Sequence, residues 1–252
     1  METGIAGRVA LVTGASSGLG RRFAQVLARE GAALAIGARR TDRLEALAGE
    51  LRAAGGRVIT LAIDVTSTAS VREAAAAVEQ QLGPIEILVN NAGVSRQARL
   101  EDVEEDAYDA VMDTNLKGAF FMAQAAARQM IRHRIEGRIV NIASVAALRT
   151  LGQLGVYCMS KAGVTQMTHV MAREWARHGI NTNAICPGYI ATEISADFLQ
   201  TEAGQRMVQG LPRRRMGEPQ DLDGLLLLLC AREASRFING AVIAADDGFT
   251  SF

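Results

Sequence analysis

Thr13-Gly14-Ala15-Ser16-Ser17-Gly18-Leu19-Gly20 stands between an apolar run at 9–12 and a segment at 21–30 whose apolar residues recur at helical spacing. A glycine-rich turn from a buried strand into a helix gathers free backbone N–H groups and the positive end of the helix dipole at one point. That makes an anion site. The glycines permit the sharp turn and let a pyrophosphate approach with no Cβ in the way. The spacing is G-x-x-x-G-x-G, not the G-x-G-x-x-G of the general dinucleotide fingerprint.

Outward from this turn the same unit repeats. Short apolar runs lie at 33–36, 58–63, 85–89, 139–142, 180–185 and 241–244, mostly continuous rather than alternating, as strands covered on both faces require. Between them, 43–54 and 71–82 carry apolar residues at threes and fours with charge opposite. Gly31, Gly55-Gly56 and Gly83-Pro84 stand where helices should stop. Strand, helix and strand in repetition predict a doubly wound (Rossmann) α/β fold, three layers α/β/α around a seven-stranded parallel sheet. No linker or repeat divides the chain, so 1–252 is expected to be a single dinucleotide-binding domain. The rhythm breaks at about 188–219, an excursion long enough to be a substrate lid.

Composition narrows the function. Of 252 residues, 49% are hydrophobic and 21% charged, a globular balance. Lys plus Arg and Asp plus Glu both count 27, so no net field draws the chain to nucleic acid or anionic lipid. Only Lys117 and Lys161 are lysine. Cys158, Cys186 and Cys230 form no CxxC pair, which argues against a metal site and for a reducing compartment. The start of the chain does not resemble a secretory signal, and the aliphatic run 225–229 is far short of a membrane span. A cytoplasmic location is expected.

The end of the second strand selects the cofactor. Ala35-Ile36-Gly37-Ala38 leads into Arg39-Arg40, and no carboxylate appears before Asp42. An acidic residue there would bind the adenosine 2′-hydroxyl, whereas arginine accommodates a 2′-phosphate. A charge-assisted hydrogen bond contributes roughly 1.5–3 kcal/mol. The expectation is NADP(H) preferred over NAD(H) by roughly tens to a few hundredfold, against the alternative that Arg39 and Arg40 are solvated charges.

Tyr157-Cys158-Met159-Ser160-Lys161 opens another helical pattern and sets a phenol and an ammonium on one face, about 6 Å apart along the axis. A nearby positive charge favours the phenolate and makes tyrosine a usable proton donor and acceptor. Ser144, past the fifth strand, comes to the same sheet edge as the glycine turn and can hold a substrate carbonyl.

The glycine turn, Asn90-Asn91-Ala92-Gly93, Asn115, Ser144, Tyr157, Lys161 and Pro187-Gly188-Tyr189-Ile190-Ala191-Thr192 occur in one order over the whole chain. In this the sequence resembles the compact, single-domain branch of the short-chain dehydrogenase/reductases, and most of all its 3-oxoacyl-acyl-carrier-protein and acetoacetyl-CoA reductases. The resemblance implies an oxidoreductase in which Tyr157 is the general acid or base, Lys161 lowers its pKa and binds the nicotinamide ribose, and Ser144 polarises the carbonyl. It implies that Asn115 kinks its helix and holds a water linked to Lys161. Gly14, Ser16, Ser17, Gly18, Leu19 and Gly20 would cradle the pyrophosphate. Asp64 and Val65 would meet the adenine, and Asn91, Ala92 and Gly93 would support the strand and ribose. Pro187, Gly188, Ile190 and Thr192 would stand at the carboxamide.

Two features depart from the carrier-protein reductases: the segment after Gly93, and His178 before Gly179 where an arginine is common. Substrate candidates are Val94, Ser95, Arg96, Ser144, Leu148, Arg149, Leu151 and Tyr189, with Ile194, Phe198 and Leu199 from the lid. The implied reaction is NADPH-dependent reduction of a ketone, including a 3-oxoacyl thioester, to a secondary alcohol. Oxidation of an alcohol or polyol, and a non-catalytic NADP-binding regulator, are the alternatives. The resemblance also implies a homotetramer or homodimer through the faces at 119–130 and 164–175 and the C-terminal strand, with the tail Phe249-Thr250-Ser251-Phe252 docked or free.

Overall fold

Along the first strand alternate side chains enter opposite cores: Ala10 and Val12 face one apolar cluster, Val9 and Leu11 the other. Burial on both faces is why this run is continuously apolar. The structure, a computed structural model, describes residues 3–193 and 200–251.

In chain order the elements are β1 (Val9–Thr13), α1 (Gly18–Arg29), β2 (Ala33–Ala38), α2 (Thr41–Ala53), β3 (Val58–Ala62), α3 (Thr68–Gln81), β4 (Ile87–Asn90) and α4 (Glu105–Met112). A π-helical stretch (Asp113–Gly118) joins α4 to α5 (Ala119–His133). Then come β5 (Arg138–Ile142), α6 (Gly155–Trp175), β6 (Asn181–Pro187), α7 (Glu202–Gln209), α8 (Asp223–Cys230) and β7 (Val242–Ala245). The strands form one seven-stranded parallel sheet, as the sequence predicts, and their order is β3-β2-β1-β4-β5-β6-β7. Leu11 sits in register with Ala35 on one side and Leu88 on the other.

The order reverses between β1 and β4, and in an open parallel sheet the crevice beyond the carboxyl ends at that point takes ligands. Phe23, Leu27, Leu44, Leu47, Leu226 and Leu229 of α1, α2 and α8 cover one face. Val71, Val78, Met122, Met130, Val164 and Met171 of α3, α5 and α6 cover the other. Gly31, Gly55 and Gly83, beyond α1, α2 and α3, all have positive φ. The excursion after β6 leaves and returns through one parallel bridge: Ala191 N–H donates to Gly217 O at 2.8 Å, and Gly217 N–H to Tyr189 O at 2.9 Å. Among the described residues no helix is long and apolar enough to cross a membrane.

Candidate active site

The glycine turn is shaped by what stands against it. Gly14 and Gly18 have φ of 67° and 53°, in the left-handed region that glycine tolerates. A Cβ on Gly14 would lie 2.8 Å from Ala92 Cα, and one on Gly20 would lie 2.3 Å from Gly14 O. The turn therefore packs directly on the segment that follows β4. Thr13 Oγ1 accepts from Asn91 N–H (3.0 Å) and Ala92 N–H (3.1 Å), while Asn91 Nδ2 donates to Thr13 O (3.0 Å) and Gly14 O (3.2 Å). Asn91 thus ties β4 to the turn.

At the N-terminus of α1, Ser17 caps no backbone group, and the first turn holds no acid. Among the described residues the orphan N–H groups and the helix dipole are met by no capping side chain and no acid of the first turn, which leaves them to a ligand. Arg40 reaches over the same turn and donates to Ser16 Oγ (3.0 Å) and Ser17 Oγ (2.8 Å).

These groups border a cleft of about 370 Å³. It is lined by Gly14, Ser16, Ser17, Gly18 and Leu19 of the turn, by Arg39, Arg40, Asp64 and Val65, and by Asn91, Ala92, Gly93 and Thr192. Gly20 lies behind the lining, where its lack of a Cβ lets α1 close on Gly14. Pro187 pairs with Ala245 in the sheet, and Gly188 and Ile190 line a second cavity of about 390 Å³ together with Tyr189. None of those three borders the first cleft. Gly37, Ala38, Ile63 and Thr114 do, without having been singled out from the sequence. Gly37 carried a usable signal, since glycine inside a strand marks a close approach: a Cβ there would meet Ile63 Cδ1 at 2.2 Å.

The π-helical stretch falls at Asn115, where the resemblance implied a kinked helix. Asn115 is 1% exposed and fully engaged. Its Oδ1 accepts from Val94 N–H (2.8 Å), and its Nδ2 donates to Val94 O (2.9 Å) and Ser160 Oγ (3.0 Å). One side chain so joins the loop after β4 to α6. Further along that loop, Ser95 and Arg96 are exposed, and Ala98 N–H donates to Gln153 O at 2.9 Å.

Ser144 follows β5 as the N-cap of a short 3-10 turn, its Oγ accepting from Ala146 N–H (3.1 Å) and close enough to the phenol of Tyr157 to lower its pKa. Tyr157 lies in the first turn of α6, with Lys161 one turn later. Lys161 is 4% exposed and donates to Ile142 O at 2.7 Å, with Nζ 5.7 Å from the Tyr157 ring centre. A Cβ on Gly93 would stand 3.3 Å from Asn115 Oδ1, a tight approach, and 3.5 Å from Lys161 Nζ, so Gly93 lies between the cleft and the buried lysine.

Burial pushes the Lys161 ammonium down to about 8. Burial likewise pushes the Tyr157 phenol up, and the Ser144 hydrogen bond draws it part of the way back. In the protein without coenzyme, burial outweighs the lowering of Tyr157 that the pairing with Lys161 suggested. Cys186, buried beside Lys161 and the Ser144 backbone, is pushed up to about 11 and stays a thiol. Leu148 and Arg149 are exposed just beyond the Ser144 turn, Leu151 N–H points to Cys158 Sγ at 3.5 Å, and Tyr189 is half-buried. Ile194, Phe198, Leu199 and Phe252 lie outside the described residues. Among the described residues no cluster of His, Cys, Asp and Glu could hold a metal.

Residues 8–203 match the short chain dehydrogenase family. Gluconate 5-dehydrogenase of Gluconobacter oxydans (strain 621H) is 38% identical over 247 residues, covering 98% of this chain and 96% of that one. A 3-oxoacyl-acyl-carrier-protein reductase of Thermotoga maritima is 36% identical over 242 residues, covering 96% and 97%. The crystal structure of a gluconate 5-dehydrogenase from Burkholderia cenocepacia J2315, in complex with NADP and tartrate, superposes with a TM-score of 0.94 at 36% identity, covering 100% of this chain and 99% of that one. By sequence over nearly its full length and by fold, the chain is an oxidoreductase that belongs to the short-chain dehydrogenase/reductase family.

Proposed function

We propose that this protein is an NADP(H)-dependent oxidoreductase that interconverts a ketone and a secondary alcohol, with reduction the favoured direction. One observation carries the reading: a buried lysine, a phenol and a serine hydroxyl converge at the sheet edge where the glycine turn leaves an uncapped helix N-terminus. The residues fit a dinucleotide. Gly14 and Gly20 leave a cradle that a Cβ would fill.

The turn and the α1 N-terminus would hold the pyrophosphate, Asp64 and Val65 the adenosine, and Lys161 the ribose beside the nicotinamide. When bound, the dinucleotide supplies or accepts the hydride at its nicotinamide ring. The chain's own residues do the rest. Ser144 donates a hydrogen bond to the carbonyl oxygen and fixes it beside the Tyr157 hydroxyl, which gives its proton to that oxygen as the alcohol forms. A phenol whose pKa is raised is protonated at neutral pH, the state a proton donor needs. The Lys161 ammonium opposes the negative charge left on the phenolate, and Asn115 holds the position from which a water reprotonates the pair.

The preference for NADP(H) rests on Arg40, already directed over Ser16 and Ser17, and on Arg39, which lines the same cleft with no carboxylate at the end of β2. A second reading is oxidation of a polyol or sugar acid. It draws on the gluconate 5-dehydrogenase and on a D-threitol dehydrogenase of Mycolicibacterium smegmatis, 38% identical over 244 residues. The departures from carrier-protein reductases after Gly93 and at His178 favour a small free substrate over a carrier-bound thioester. The proposed assembly is a homotetramer or homodimer, supported by the apolar groove of Met112, Leu116, Phe120, Phe121, Met167 and Val170, which runs from the end of α4 through the π-helical stretch to α5 and α6.

The test is NADPH consumption with a panel of activated ketones beside the Tyr157→Phe variant. The reading expects a loss of about a thousandfold or more in kcat, within the range of proton-transfer catalysis combined with positioning. Equal turnover in the two proteins would remove the mechanism, and tight NADPH binding with no turnover would leave a regulator.

A further inference from the structure

The two rims of the coenzyme cleft are each tied to the fold. On one side Arg39 and Arg40 lead into α2, which Leu44 and Leu47 anchor in the core, and Leu44 N–H donates to Arg40 O at 3.3 Å. On the other side Thr192 directly follows Ala191, whose N–H is held by Gly217 O. The glycine turn lies between the rims. Arg40 donates to Ser16 and Ser17 there, and a Cβ on Gly18 would meet Thr192 Cγ2 at 3.6 Å. Gly18 and Thr192 also border an outer hollow of about 620 Å³, which Glu193 lines.

The rims meet once more outside these contacts. Arg43, in the first turn of α2, donates from Nη1 to Glu193 Oε2 at 3.3 Å, across 150 residues of sequence. Arg43 stands three residues beyond Arg40, and Glu193 is the neighbour of Thr192. The contacts Arg40–Ser17, Gly18–Thr192 and Arg43–Glu193 therefore close a ring at the lip of the cleft. Arg40, Ser17, Gly18 and Thr192 line the cleft itself, whereas Arg43 and Glu193 do not. With the backbone fixed on both sides, the ion pair is the part of the ring that can open. Its two side chains are 47% and 65% exposed, so it breaks readily.

We propose that Arg43 and Glu193 form a strap across the mouth of the coenzyme cleft, which has to part both when the dinucleotide enters and when it leaves. This rests on the dinucleotide-binding reading above. Both groups belong to the chain, so the strap adds no affinity; it scales association and dissociation alike. Exposed side chains change rotamer in picoseconds to nanoseconds, and each rate is therefore multiplied by the fraction of time that the pair is broken. For an exposed ion pair this is a slowing of about 2- to 5-fold.

The experiment measures association and dissociation of NADPH and of NADH by stopped-flow fluorescence, in wild type and in the double variant Arg43→Gln/Glu193→Gln. The double variant loses one charge of each sign, so the net charge that steers the coenzyme is unchanged. With coenzyme in excess, neither rate depends on how much of a preparation is folded. Both rates are expected to rise about 2- to 5-fold with both coenzymes, leaving Kd within about twofold of wild type. At about 0.5 M salt the difference should shrink, because screening loosens the pair in wild type. Unchanged rates overturn the proposal, as does faster dissociation with a matching loss of affinity, which marks a contact made only with bound coenzyme. A change confined to NADPH overturns it too, and makes Arg43 a ligand of the 2′-phosphate; so does a difference that persists at high salt. All of these leave the dinucleotide reading standing. Failure of wild type to bind either coenzyme sinks that reading, and the strap with it.

Discussion

Replacing Lys161 with methionine should abolish turnover and yet stabilise the fold. The ammonium is 4% exposed, its hydrogen bond goes to the Ile142 carbonyl, and no carboxylate among the described residues pairs with it. Burial lowers its pKa from 10.5 to about 8, which corresponds to about 3 kcal/mol spent in keeping the charge at pH 7. Methionine removes that penalty in a similar volume, while the carbonyl loses a donor at about 1 kcal/mol. The net gain is about 1–2 kcal/mol, a rise in Tm of about 2–8 °C for a chain of this size. The pH dependence separates this cause from ordinary repacking. Because the folded pKa lies below the unfolded one, the folded state releases its proton first, and wild type gains stability as pH rises from about 8 towards 10.5. Urea unfolding without coenzyme at pH 7 and about pH 9.5 should therefore find wild type regaining about 2 kcal/mol at the higher pH, so that the advantage of the variant disappears. A variant less stable than wild type at pH 7, or an advantage that does not change with pH, would refute the reasoning.

The raised phenol of Tyr157 is in the acid form for reduction but must ionise to serve as base, so the pH optimum for alcohol oxidation should lie about one unit or more above that for ketone reduction; coincident optima in steady-state profiles would contradict the assignment. Arg40→Ala should weaken NADPH binding about 10- to 100-fold while changing NADH affinity by about twofold or less, measured by fluorescence titration of both coenzymes. Gly20→Ala forces a Cβ to within 2.3 Å of the Gly14 carbonyl, and should cost about 2 kcal/mol or more in urea unfolding together with most coenzyme affinity.

The strands were legible because their surroundings are simple. A residue such as Leu11, wholly buried in a parallel sheet, has to be apolar on either face, and seven such runs become seven strands. Asn115 was legible as a kink only through the resemblance, because nothing in its local sequence separates it from an exposed helical asparagine. What it does depends on Val94 and Ser160, distant in sequence and brought together by the fold. The same reason hid Thr114 and Ile63, which line the coenzyme cleft by adjacency in space. The protonation states were the least legible. Spacing sets Tyr157 and Lys161 on one helical face, but burial moves each group towards its neutral form, and burial is a property of the packed molecule. Phe249 read as a terminal aromatic with an open fate until Arg149 and Tyr189 supplied partners.

The two ends of the sheet handle buried polarity by opposite rules, and the contrast says which polar residues serve chemistry. At the amino end Arg8 and Arg138 are 8% and 2% exposed, yet their donors end on Glu86 and Ser235 side chains and mostly on backbone carbonyls, three of these at the close of α8: Arg8 on Cys230 O (3.1 Å), and Arg138 on Ala231 O (3.4 Å) and Arg232 O (2.6 Å). Two cations there satisfy the orphan carbonyls and negative dipole of a helix C-terminus, and their function is complete within the fold. At the carboxyl end the accounting is left open. The α1 N-terminus has no side-chain cap, Lys161 holds a charge with no counterion among the described residues, and Arg40 is parked on two serine hydroxyls. Each is a group whose best partner is a phosphate, a ribose or a developing negative charge. Fold stability alone would favour methionine at 161 and an acidic cap on α1, so the retention of less stable choices at one edge, beside fully satisfied arginines at the other, is the physical signature of a site kept for a ligand.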